Sequence, residues 1–216
     1  MLMYRASKKY LKKIFLGNQI MKTFISLGIF MCITIMIGNA AIGSSGSRLL
    51  KEVVSDGQTL KRVKGMPVII SKKQYEVAIT PENILTELTA PINFTLLISN
   101  PTKKPVPFFI ENIKIFSEKS HLEILKPEEI IERARKFYSK EEYQLDEEQE
   151  KALAPFVEDK MQMLRDSLLR TQIISPEAKT MGLMAILIPL NTEKLSIEVT
   201  ISMEIHRFEF QVIELQ

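Results

Sequence analysis

Cysteine and histidine are scarce: the 216-residue chain holds one Cys and two His. A single Cys excludes a disulfide framework within the chain and any multi-cysteine metal cluster. His121 and His206 stand far apart, with no HxH, HxxxH or HExxH context, so neither is assigned to a metal. No G-x-x-x-x-G-K or G-x-G-x-x-G segment occurs to cradle a phosphate, and no G-x-S-x-G elbow to carry a nucleophile. Acidic residues are plentiful, but pairing two of them as a glycosidase dyad needs geometry that a sequence does not supply. No catalytic, cofactor-binding or metal-ligating residue is assigned, and no cofactor is expected.

Acidic residues are missing from the start of the chain, the first being Glu52. Arg5, Lys8, Lys9, Lys12, Lys13 and Lys22 carry the positive charge there. Without those six, 23 basic residues face 26 acidic ones, a net of −3 instead of +3. The basic pI of 8.8 therefore belongs to the leader and not to the body. A nucleic-acid binder concentrates its positive charge on the folded domain, so that class is set aside.

Past Lys22 the chain turns apolar. Phe24 to Ile42 spans 19 residues, with Asn39 its one strongly polar member. Basic, apolar and then small residues form the tripartite pattern of a secretory signal, with Gly38-Asn39-Ala40 and Ala41-Ile42-Gly43 as cleavage positions. The run is also near the ~20 residues of a membrane span, and its basic end satisfies the positive-inside rule. Cleaved signal and retained inner-membrane anchor both stay open, as do starts at Met1, Met3 or Met21. Either way residues 44–216 are expected outside the cytoplasm, in the periplasm or an equivalent compartment. Cys32 is read as a small apolar member of this run, because Met31 stands where a lipobox needs Gly, Ala or Ser. Gly43-Ser44-Ser45-Gly46-Ser47 reads as a flexible exit, opening a linker over 44–65.

From residue 66 onward the apolar pattern has period two. Tyr75, Val77 and Ile79 alternate with Glu76 and Ala78, and Ile92, Phe94, Leu96 and Ile98 alternate with Asn93, Thr95, Leu97 and Ser99. Leu195 to Ile205 is the longest case, and the phase then flips to Phe208, Phe210 and Val212. The flip requires a bulge or tight turn near His206-Arg207 and puts His206 on the wet face. Met66–Ser71, Phe108–Phe116 and Gly182–Leu190 complete about seven strands. The expected fold is mainly β, an antiparallel β-sandwich over 66–216. A helical insertion over about 127–171 interrupts it. Pro127, Glu128 and Glu129 suit a helix start, and Asp146 suits the cap of a second helix. Ile130, Ala134 and Phe137 share one face, and Val157, Met161, Leu164 and Leu168 form an apolar stripe that packs on the sandwich or on a partner. Asn93-Phe94-Thr95 matches a glycosylation sequon, by itself a weak signal.

The segment Phe94-Thr95-Leu96-Leu97-Ile98-Ser99-Asn100-Pro101-Thr102-Lys103-Lys104-Pro105-Val106-Pro107-Phe108 resembles the strand–Asn–turn–Pro pattern of bacterial extracytoplasmic immunoglobulin-like domains. Gly182-Leu183-Met184-Ala185-Ile186-Leu187-Ile188-Pro189 is similar to their later strand ending in Pro. About half of residues 66–216 share the pattern; the helical insertion and the missing lipobox depart from it. The resemblance implies an immunoglobulin-like sandwich serving as a binding or scaffolding module. The expected function is that of an exported, non-catalytic envelope protein that binds another envelope protein, within a secretion or surface assembly. Two alternatives stay open: a periplasmic enzyme with a site on its loops, and a bitopic membrane component whose basic tail contacts cytoplasmic partners.

Overall fold

The computed structural model describes residues 46–118, 120–137 and 147–215. The apolar run at 24–42, Cys32 and the Asp146 cap lie outside them. Among the described residues no helix is long and apolar enough to cross a membrane.

Thirteen strands form among the described residues: β1 Ser47–Val53, β2 Gln58–Val63, β3 Met66–Lys72, β4 Glu76–Pro81, β5 Leu85–Glu87, β6 Ile92–Ser99, β7 Val106–Phe108, β8 Ile113–Ser117, β9 His121–Leu122, β10 Gln172–Ile174, β11 Lys179–Ile186, β12 Lys194–Ile201 and β13 Glu204–Leu215. One antiparallel sheet has the order β5-β1-β13-β12-β8-β9, and the other β11-β6-β4-β3-β2, with β10-β7 as a small third pair. The two large sheets stack on a shared core. Ile69, Val77, Ile79, Phe94 and Leu96 from one meet Leu50, Ile197, Val199, Phe208 and Phe210 from the other. Phe94 and Phe210 touch across it with ring centroids 5.2 Å apart and planes at 55°. Such a tilted pair adds about 0.5–1.5 kcal/mol beyond the area it buries. This is the sandwich-like, mainly β arrangement that the alternating pattern predicts.

Several boundaries differ from expectation. Residues 44–65 are not a linker: β1 lies between β5 and β13, and β2 pairs with β3. β1 escapes the alternation rule because its inward positions are Arg48 and Leu50, a charge beside an aliphatic. The expected run Phe108–Phe116 is broken by a 3-10 turn at Ile110–Asn112, so β7 joins β10 and β8 joins β12. β11 ends at Ile186, short of Pro189.

The late hairpin turns at Ser202-Met203, four residues before the expected place, with Ser202 at φ 57°. Directly paired residues of two strands share a face. His206 opposes Val199, which is fully buried, so His206 also points into the core and not to water. Met203, at the tip, is 93 % exposed.

The helical insertion forms α1 Pro127–Phe137 and α2 Glu147–Ser167. Pro127 opens α1, and the Glu129 carboxylate accepts the Lys126 N–H at 2.9 Å, closing one of the free donors of the first turn. The insertion leaves and rejoins the sandwich at one edge. Leu125 N–H donates to Ala185 O at 2.9 Å, and Leu169 N–H to Leu183 O at 2.8 Å. Both bonds use the outer edge of β11. Ile130, Ala134, Met161, Leu164 and Leu168 then pack on Leu183 and Ala185, the outward-facing side chains of that strand. The apolar stripe of the second helix therefore covers the sheet. Arg135 and Glu158 join the helices through two contacts, 2.6 and 3.4 Å.

Candidate functional site

The helical layer covers only one side of the outer face of the five-stranded sheet. Next to it no element among the described residues covers the face. Direct cross-strand partners make a row Ile70, Ala78, Leu97 and Met181 over β3, β4, β6 and β11. In the next row Thr95 stands between Thr80 and Leu183. Val68, Ala78, Leu97 and Met181 form the floor and one wall of a groove of about 440 Å³. The β2–β3 turn and the segment Pro81–Leu85 form its other walls. Apolar side chains supply nearly all of that surface. The polar groups are few: Lys64 in the turn, and Thr80, Thr95, Glu82 and Asn83 at the β4 end. The Thr95 hydroxyl donates to the Glu82 carboxylate. Lys64 and Gly65 both have left-handed backbones, φ 51° and 85°, as a two-residue hairpin turn of this hand requires.

β2 borders the same face and ends the sheet. Among the described residues it is paired with β3 alone. Five of its six residues are exposed. Its inward side is held: Gln58 Nε2 donates to Arg207 O at 2.6 Å, and Arg62 Nη2 meets Glu52 Oε1 at 2.6 Å. The strand is thus fixed in place with one row of backbone groups turned outward. The other sheet edges differ. β5 and β9 are three and two residues long, and β11 is occupied by the flanks of the helical insertion.

Three polar residues sit deep in the fold. Arg48 is fully buried near the chain entry. Its guanidinium donates to Ile188 O at 2.9 Å and to Leu88 O, while Nε has no partner. Burial lowers its pKa, and the Glu214 carboxylate acts in the opposite sense. His206 Nδ1 lies 3.0 Å from Ser71 Oγ, across the two sheets. Its Nε2 has no hydrogen bond and stands 3.8 Å from Glu204 Oε2. Burial is the first cause of its lowered pKa; the Lys73 charge adds to it, and Glu204 and the Ser71 bond act against it. Glu204 is itself tied to the β3–β4 turn, accepting from Gln74 N–H and Tyr75 N–H at 3.2 Å each. Asn100, in the turn singled out by its sequence, is the third. Its Nδ2 donates to Lys104 O (2.8 Å), Ile174 O (3.1 Å) and Ser175 O (3.2 Å), and its Oδ1 accepts from Thr102 N–H (3.1 Å) and Oγ1 (2.7 Å).

The structure does not bring the two histidines together. His121 lies on β9 against Phe116, and His206 lies inside the sandwich. Among the described residues no three His, Cys, Asp or Glu side chains converge. Asn93 of the sequon is 6 % exposed in the middle of the sheet, closed to a glycosyltransferase in the folded state. The groove itself was not readable from sequence. Its residues come from outward positions of four strands, and only the pairing register assembles them. Compared with protein-family models, with curated proteins and with solved structures, the chain matches none.

Proposed function

We propose that residues 46–215 form an immunoglobulin-like sandwich delivered outside the cytoplasm by the run Phe24–Ile42, as a cleaved signal or a retained anchor, and that it acts as a non-catalytic module binding another envelope protein. The observation that carries this reading is β2. A strand fixed on one side and unpaired on the other offers backbone donors and acceptors to an added strand. Its outward-face side chains Thr59, Lys61 and Val63 lie beside the groove, so an added strand would find side-chain contacts as well as a ladder. The leader charge and the net −3 of the body support delivery across a membrane.

The test is photo-cross-linking in intact cells. A photoreactive residue at Lys61 is expected to capture one envelope protein; the same residue at Met203, at the other end, is the control. Single prolines at Thr59 and Leu60 refine it. One of these two N–H groups faces outward, and proline there removes the adduct while leaving the β3 ladder intact. Adducts no stronger at Lys61 than at Met203 would reject strand addition. Location is tested separately: residues 46–215 resist added protease in intact cells and become sensitive in spheroplasts. Sensitivity only after full lysis would reject export.

A further inference from the structure

The groove and the chain entry lie at the same end of the sandwich. Gly46 O accepts the Leu88 N–H at 3.1 Å, and Leu49 opposes Leu85, a wall residue of the groove. Leu49 stands three positions along β1 from Gly46, about 10 Å. In the other direction, Ile42, the last residue of the apolar run, precedes Gly46 by four positions. Four residues span at most about 14 Å. If the run is retained in a bilayer, the groove is therefore held within about 25 Å of the place where the chain leaves the hydrocarbon. At this end Leu85 is 57 % exposed and Leu190 56 %, with Val63 and Leu187 also exposed.

We propose that the groove takes up an acyl chain of a bilayer lipid, next to the anchor. Its volume of about 440 Å³ lies within the range of small-molecule sites, and its surface is nearly all apolar. Met66 and Met181 give it flexible, polarizable walls that suit a chain of no fixed shape. Lys64 and the Thr80–Thr95–Glu82 group are the polar features that would meet the glycerol and headgroup region. This inference rests on the anchored form of the function proposed above, and the experiment separates the two.

The full chain is reconstituted in vesicles of phosphatidylethanolamine and phosphatidylglycerol that include a phospholipid with a diazirine in its acyl chain. After illumination, adducts are mapped by peptide mass spectrometry. The expected result is adducts within 63–85 or at 95–97, in addition to adducts within 24–42. Ala78→Phe fills the groove floor, and Met181→Glu places a charge on a wall position that is already 39 % exposed. Each is expected to lower the groove adducts about tenfold or more while leaving those in 24–42 unchanged. The exposed Met181 position guards against a variant that fails to fold, and the thermal transition of each variant checks it. Adducts in 24–42 alone would overturn the groove assignment and leave anchoring intact. Groove adducts unchanged by both variants would overturn it too. Adducts in neither segment would overturn anchoring as well.

Discussion

Gly182 is the position where a single methyl group does the most harm. It lies on β11, opposite Leu96, where the end of the helical insertion returns to the sheet. A Cβ built there would stand 2.5 Å from Leu169 Cα, 2.8 Å from its N and 2.9 Å from its Cβ. Two of the three atoms are main chain, so no rotamer change relieves the contact. Ordinary carbon contacts need about 3.5–4.0 Å, so Leu169 has to retreat by about 1 Å. That retreat strains the Leu169 N–H to Leu183 O bond, which holds the insertion on the β11 edge. Overpacking of this kind costs about 1–3 kcal/mol, and a weakened hydrogen bond about 1 kcal/mol more. The entropy lost by the unfolded chain returns about 0.4–1 kcal/mol. Gly182→Ala is therefore expected to lose about 1–3.5 kcal/mol, a fall in Tm of about 2–14 °C for a chain of this size.

Urea unfolding of wild type, Gly182→Ala and the double variant Gly182→Ala/Leu169→Ala decides the matter. Truncating Leu169 removes none of the two main-chain contacts, so the double variant is not expected to recover stability. Gly182→Ala with wild-type stability, or a double variant restored to the wild-type level, would refute the close-approach argument.

The other predictions concern the buried polar groups. His206 has a pKa below its ordinary 6.5, so the folded state prefers the neutral ring. Its contribution is then fully present above pH 6.5 and is lost as pH falls below it, by at most about 1.4 kcal/mol per pH unit. Wild type is expected to lose stability between pH 7 and pH 5 relative to His206→Gln, as measured by urea midpoints; parallel curves would dismiss the effect. Asn100→Ala removes three donated and two accepted bonds, and is expected to cost about 2–4 kcal/mol in the same assay. A loss under 1 kcal/mol would mean that water replaces the side chain. Arg48→Ala leaves two carbonyls without their donor and a void, a loss of about 3–5 kcal/mol. Arg48→Met fills the volume and removes the buried charge, so it is expected to lose clearly less; equal losses would argue that packing plays no part.

What the sequence discloses follows from how local the cause is. Strands β4 and β12 are readable because each carries its own alternation of inward aliphatic and outward polar or small residues; β6 alternates with Leu97 as its one exception, and β3 is readable as a short apolar run. The helices are readable for the same reason: Pro127, Glu128 and Glu129 open α1, and Met161 and Leu164, with Leu168 just past its end, mark the buried face of α2. β1 is hidden because Arg48 occupies an inward position, and a charge there becomes intelligible only when Ile188 O and Leu88 O are near. His206 is misplaced for a related reason. Alternation continues through Met203 and Ile205, so nothing local shows that the chain has already turned at Ser202. The groove is hidden more deeply, since Val68, Ala78, Leu97 and Met181 belong to four strands and become neighbours only through register.

These failures have a common form. Arg48, Asn100 and His206 are polar residues where the period demands apolar ones, and each joins segments far apart in the chain: residue 48 to 188, 100 to 174, and 206 to 71. A buried polar group is tolerated only where partners are held for it, so each of these fixes a geometry that aliphatic contact alone leaves loose. They pin the chain entry, the β6–β10 corner and the far hairpin. Val68, Leu97 and Met181 are the converse, apolar residues where the period demands polar ones. On the β11 side the same anomaly, Leu183 and Ala185, is met by helices. On the β3–β4–β6 side no element of the described chain covers it. One outer face therefore carries the same apolar chemistry twice, once covered by the helical insertion and once covered by no element among the described residues. The covered half is bolted to the β11 edge by the Leu125 and Leu169 bonds, so those helices cannot slide over to close the open half without breaking them. The helices are therefore confined to the β11 side by the place where the insertion is tied.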